Sequence, residues 1–217
     1  MNTGQRPAAL AAGPFCDKES TNVELISSNS TRYTKEEREM NMKVAIVFDG
    51  QTGNIETVAE AVRKDCDGET ILSFGRPEAA NVEKAELIFV GTWIDKGSCT
   101  ATIAHFLAGL RNKKVARFGT AGFGADTSYI HALYERIGAL LPEDCRLLDE
   151  TFFSLGKMPI SVRERYVSML RSHPDDRKLQ VDVRNFDEAL SQPDEQELNN
   201  AADFAARALA EAYDRKL

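Results

Sequence analysis

The chain contains no Cys-x-x-Cys pair, only four cysteines and three histidines, and no apolar run long enough for a membrane helix. Its cysteines (Cys16, Cys66, Cys99 and Cys145) are scattered. A disulfide framework or zinc cluster is therefore not expected, and a reducing cytoplasm is the natural compartment. A helix spanning a bilayer needs about 20 consecutive apolar residues, which excludes a membrane role of that kind. Positive charge is not in excess either: the net charge of −7 argues against non-specific nucleic-acid binding and suits docking onto a basic patch of a protein partner. Neither G-x-G-x-x-G nor a Gly-Lys-Ser/Thr P-loop occurs. No Ser/His/Asp set, carboxylate pair or metal-ligand spacing stands out. His105 and His131 read as surface or flanking residues of helices. Electron or group chemistry would have to come from a bound cofactor.

What is present is ordinary for a soluble globular domain, with 42% hydrophobic and 28% charged residues in a chain of 217. Residues 1–42 are rich in Asn, Ser, Thr, Pro and Gly without apolar periodicity and read as a disordered leader. The segment from Met1 to Ala12 has one Arg and an Ala-rich patch broken by Gly13-Pro14, which makes a poor signal peptide. Met40 and Met42 stand just before the first predicted strand, so part of this leader is open to reading as an over-long start. Residues 43–217 are expected to form one domain.

From Lys43 onward, short apolar runs alternate with helical periods. Strands are predicted at Val44–Phe48, Thr70–Phe74, Leu87–Val90, Lys114–Gly119 and Arg146–Phe153. Ile55, Val58, Ala59 and Val62 follow the i, i+3, i+4, i+7 spacing of one helix face, as do Ile103, Phe106, Leu107 and Leu110. Ile130, Leu133, Ile137 and Leu140 nearly do the same. Only a short helix fits between the second and third strands. Such alternation implies parallel crossovers and an α/β sheet covered on both faces. After the fifth strand come helices over Val162–Leu170, around Arg184–Leu190 and over Glu195–Tyr213. In the last of these, Leu198, Ala202, Ala205, Leu209 and Ala212 form a stripe behind an Asp194 N-cap.

Ligands of open parallel sheets bind at the carboxyl ends of the strands, where strand order reverses. In a 2-1-3-4-5 sheet three unusual strand ends would rim one crevice. The first is Asp49-Gly50-Gln51-Thr52-Gly53-Asn54, leading into Ile55 and a helix. The others are Gly91-Thr92-Trp93-Ile94-Asp95-Lys96-Gly97 and Gly119-Thr120-Ala121-Gly122-Phe123-Gly124. A glycine-rich turn feeding a helix N-terminus offers backbone N–H groups at the positive end of the dipole, so a phosphate monoester needs no lysine there. The same turn also reads as a plain strand-to-helix connection. Trp93, the one tryptophan, is placed either to stack on a ligand or to pack, and Phe123 poses the same choice. Lys96-Gly97 reads as a solvated charge or as a charge beside a bound ring.

The stretch Phe48-Asp-Gly-Gln-Thr-Gly-Asn-Ile-Glu-Thr-Val-Ala-Glu resembles the FMN phosphate loop of the flavodoxin family, Ser/Thr-x-Thr-Gly-Asn-Thr before a helix. Thr52, Gly53 and Asn54 match it, while Gly50 and Ile55 stand where the family carries hydroxyls. "FVGTWIDKG", "FGTAGFGADTSY", "GKMPISVRERY" and "HPDDRKLQVDVRNFDEALSQPDEQELNNAADF" are similar to a single-domain flavodoxin-like subgroup with a C-terminal helical extension. Some members of that subgroup accompany bilirubin reductase. The resemblance implies a three-layer sandwich with a five-stranded parallel sheet in order 2-1-3-4-5 and extra C-terminal helices. It further implies FMN as cofactor and electron transfer between redox protein partners. Gly50, Gln51, Thr52, Gly53, Asn54 and Ile55 would hold the phosphate, with Thr92 and Trp93 on one side of the ring and Gly119, Thr120, Gly122 and Phe123 on the other. Restoring a hydroxyl by Gly50→Ser or Ile55→Thr is expected to tighten FMN.

Three other functions fit parts of the pattern. An FMN-dependent reductase or reductase accessory, acting on a quinone or tetrapyrrole, keeps the cofactor. A phosphoacceptor receiver domain would use Asp49, Asp95, Thr120 and Lys157, with Pro159 close behind. A flavin-free interaction module would keep only the fold.

Overall fold

The computed structural model describes residues 41–95, 97–122 and 127–214. Five strands, β1 (Lys43–Asp49), β2 (Thr70–Gly75), β3 (Leu87–Trp93), β4 (Lys114–Ala121) and β5 (Arg146–Leu155), form a parallel sheet in the order β2-β1-β3-β4-β5. The crossovers carry α1 (Asn54–Asp65), a 3-10 turn (Pro77–Ala79), α2 (Ala101–Gly109) and α3 (Thr127–Gly138). The short element between β2 and β3 is the one the spacing allowed.

Strand periodicity divides the core in two, because successive side chains leave opposite faces of a sheet. On one face Val44, Ile46, Phe48, Leu87, Phe89 and Phe118 pack under α1 and the C-terminal helix α6 (Glu195–Tyr213). On the other, Ala45, Val47, Ile88, Val90 and Val115 pack under α2 and α3. Ile55, Val58, Ala59 and Val62 are buried as their spacing predicts. The α6 stripe is turned slightly from its prediction: Ala201, Phe204, Ala205, Ala208, Leu209 and Ala212 are buried, and Ala202 is only half-buried. The cause is Phe204, whose ring meets those of Phe89, Phe118 and Phe152 at 5.8, 6.5 and 6.1 Å.

Two boundaries differ from the sequence reading. β3 continues through Gly91-Thr92-Trp93, since a central strand finds partners on both sides: Asp49 lies opposite Thr92, and Thr120 opposite Trp93. After β5 come α4 (Ile160–Ser172) and α5 (Arg177–Glu188). The latter starts well before Arg184 because the Asp176 side chain accepts hydrogen bonds from the N–H groups of Lys178 and Leu179. α4 and α5 pack on each other and share an Arg163–Asp187 ion pair, Nε to Oδ1 2.7 Å. At the other end, Met42 is buried although it falls in the stretch read as leader. Its N–H donates to Tyr213 Oη (3.0 Å) and to Glu69. Residues 1–40 of that stretch lie outside the described residues.

Candidate functional site

The strand order puts the predicted loops along one edge of the sheet. Asp49 of β1 lies opposite Thr92 of β3, and Thr92 opposite Gly119 of β4. Between β1 and α1 the chain turns through Gly53, whose φ of 80° lies in the left-handed region that glycine tolerates best. Gly53 is the N-cap and brings no side chain. The first helical N–H bonded within α1 is that of Thr57, to Gly53 O at 3.1 Å. Among the described residues none supplies an acceptor to the N–H groups of Asn54, Ile55 and Glu56. These three donors point out of the positive end of the helix, a setting that suits an anion. Beside them lies a cavity of about 280 Å³ lined by Phe48, Gly50, Gln51, Gly53, Ile55, Glu56, Gly75 and Arg76.

The loop is braced from behind. Asn54 is buried, and its Nδ2 donates to Thr52 Oγ1 (2.8 Å) and to Lys157 O (3.0 Å). The conspicuous Thr-Gly-Asn triplet therefore serves partly to tie the turn to the segment after β5. Gly50 and Ile55 are coupled: a Cβ on Gly50 would collide with Cγ2 of Ile55, and Ile55 is buried in the α1 core. A serine at residue 50 would therefore have to displace the Ile55 side chain.

The remaining predicted residues fall into different roles. Thr92 is buried; its Oγ1 donates to Trp93 O (2.9 Å) and accepts from Thr100 N–H (3.2 Å), closing the loop before α2. Trp93 ends β3 half-buried. Beyond it Asp95 and Ser98 exchange two backbone bonds of 3.0 Å around a turn with Gly97 at φ 79°, and Arg136 Nη1 of α3 holds Gly97 O at 2.7 Å. Gly119 is buried against Phe153, Thr120 is buried beside Gly156, and Gly122 sits half-buried beside Met158. Gly119 and Thr120 thus supply backbone and packing at the rim. Phe123 and Lys96 lie outside the described residues. None of Thr92, Trp93, Gly119, Thr120 or Gly122 lines the cavity at the phosphate loop. Burial pushes the Cys99 thiol next to this rim up.

One residue escaped the sequence reading. Arg76, just past β2, donates from Nη1 to Asp49 Oδ1 (2.7 Å) and from Nη2 to Gly50 O (3.1 Å). The strand order held the clue, since β2 neighbours β1 and its end must lie beside the turn between β1 and α1. The same pairing occupies Asp49, the first acidic residue a receiver domain would need.

Comparison with known proteins agrees with this geometry. The Flavodoxin domain family matches residues 45–206. The flavodoxin-like domain-containing protein BilS of Clostridioides difficile (strain CD3) is 30% identical over 178 residues, 79% of this chain and 98% of that protein. BilS of Clostridium symbiosum (strain WAL-14163) is 34% identical over 169 residues, 70% of this chain and 88% of that protein. Among solved structures, oxidised flavodoxin 2 from Bacillus cereus is 17% identical, with 79% of this chain and 99% of that one covered and a TM-score of 0.49. Fold topology, the uncapped Gly-rich turn and the family match converge: the chain belongs to the flavodoxin family.

Proposed function

We propose that this protein binds FMN non-covalently and passes electrons between redox protein partners in the cytoplasm. A flavin redox role follows from the family; FMN as the particular flavin, and protein partners on both sides, are our reading. The observation that carries it is the Gly-rich, left-handed Gly53 turn into α1, where no described residue accepts from the N–H groups of Asn54, Ile55 and Glu56. These would hold the phosphate, with the Thr52–Asn54–Lys157 chain keeping the turn rigid. Trp93 and the backbone at Gly119, Thr120, Gly122 and Phe123 would flank the ring. Bound FMN supplies the redox chemistry, taking up and releasing one or two electrons. Around it the protein orients, shields and tunes.

Among the described residues no helix is long and apolar enough to cross a membrane. The resemblance to a subgroup accompanying bilirubin reductase makes a bilin reductase the first acceptor to assay. Purified protein should be yellow and release FMN, identifiable by mass, on denaturation. Colourless protein that takes up no added FMN would refute the reading.

A further inference from the structure

We infer that Arg76 is a positioning residue for the flavin phosphate: it neutralises Asp49 and fixes the carbonyl of Gly50 at the entrance to the phosphate loop. The inference rests on the FMN reading given above. Three observations lead to it. The first is placement. Asp49 and Gly50 are the two residues immediately before the Gln51-Thr52-Gly53 turn, and one guanidinium bonds both, at 2.7 and 3.1 Å. The second is exposure. The Asp49 side chain is 13% exposed and that of Arg76 61%, so the carboxylate is largely withdrawn from water and its partner reaches in from solvent. The third is the shared cavity, which Gly50, Gln51, Gly53, Glu56 and Arg76 line together.

The electrostatics give Arg76 its task. A phosphate monoester arriving at the N–H groups of α1 meets two sources of negative potential, the Asp49 carboxylate and the Gly50 carbonyl oxygen. Repulsion between like charges persists where water is scarce, because the effective dielectric falls. Arg76 cancels both sources with a fork of donors that a lysine cannot reproduce. It also turns the Asp49 Oδ1 and the Gly50 oxygen toward itself. With Glu56 on the cavity wall the local balance is negative by one charge, and loss of Arg76 makes it negative by two.

Titrating FMN and riboflavin, which lacks the phosphate, into flavin-free wild type, Arg76→Ala, Arg76→Lys, Asp49→Asn and the Asp49→Asn/Arg76→Ala pair tests this. Arg76→Ala should weaken FMN about tenfold, the low end for a charge-assisted bond because Arg76 is well exposed. Riboflavin affinity should change less than about twofold, since no phosphate meets Asp49. Arg76→Lys should recover only part of the loss. The paired variant should regain most of the FMN affinity, because the carboxylate that Arg76 neutralises is gone. An FMN-to-riboflavin ratio unchanged in Arg76→Ala overturns the proposal, as does a pair that loses as much as the single variant. A fall in both affinities alongside a lower Tm would mean Arg76 merely supports the fold, and also overturns it. Wild type that binds no FMN would remove the parent reading and this one together, whereas FMN binding with an unchanged ratio removes this one alone.

Discussion

At the scale of single residues, packing decides what the turn between β1 and α1 can carry. The Gly50–Ile55 contact occupies the space that a hydroxyl on residue 50 would need. Gly50→Ser alone must displace Cγ2 of a buried side chain, and overpacking of that kind costs about 1–3 kcal/mol. Ile55→Thr alone puts a hydroxyl into the apolar α1 core without a partner, again at about 1–3 kcal/mol. Threonine keeps the Cγ2 methyl that a side chain on residue 50 meets, so the pair Gly50→Ser/Ile55→Thr retains the collision and should be no more stable than Gly50→Ser alone. Flavin titration with parallel thermal melts measures both effects; a Gly50→Ser protein with wild-type Tm and tighter FMN would show that the contact does not constrain the turn. Trp93 poses a separate question at this scale. If its ring covers the flavin, its fluorescence should be quenched on binding, and Trp93→Ala should loosen FMN by about 0.5–1.5 kcal/mol beyond lost contact area. Unchanged affinity with a lower Tm would make Trp93 a packing residue only.

At the scale of elements, the most distal helix is the one most firmly built into the core. Phe204 of α6 is fully buried and meets rings from β3, β4 and β5. Phe204→Ala should cost about 3–5 kcal/mol, lowering Tm by on the order of 10 °C in a domain of this size. A melt shifted by only a degree or two would make α6 an appendage. This helix was legible in the sequence because cap and stripe agreed: Asp194 accepts from Glu197 N–H at 2.9 Å and the apolar positions recur at helical spacing. α5 was legible only in its second half. Its first turn is charged and exposed, Leu179 stands alone there, and the Asp176 cap follows a proline-marked break. The parallel sheet was legible because buried strands read as continuous apolar runs. Pairwise geometry was not. The Arg76–Asp49 pair joins residues 27 apart, and the Gly50–Ile55 contact is a matter of side-chain volume that periodicity does not encode. The N–H groups of the loop, on which the proposed site rests, have no side-chain signature beyond glycine.

At the scale of the whole molecule, alkaline pH should loosen the α1–α6 side first. Cys66, which closes α1, is fully buried; that burial, followed by the nearby carboxylates of Asp65 and Glu69, pushes its thiol from the ordinary 9.0 up to about 12. At the end of α6, burial and then the hydrogen bond to Glu69 (2.7 Å) push the Tyr213 phenol from 10.0 up to about 12. Both groups hold their protons more tightly in the folded protein than in the unfolded chain. The stability they contribute is complete below the unfolded values and is lost as pH rises through the folded ones. Tm should therefore fall across a window opening near pH 9 with Cys66, joined near pH 10 by Tyr213, and closing near pH 12. Cys66→Ala should flatten the lower part of that fall and Tyr213→Phe the upper part, each compared with its own Tm at pH 7. Because the two groups sit at the ends of packed partner helices, the double variant should show the combined flattening. A pH profile unaltered by either substitution would place the alkaline weakness elsewhere, with the Cys99 thiol and the Tyr134 phenol, which burial also pushes up, as the next groups to test.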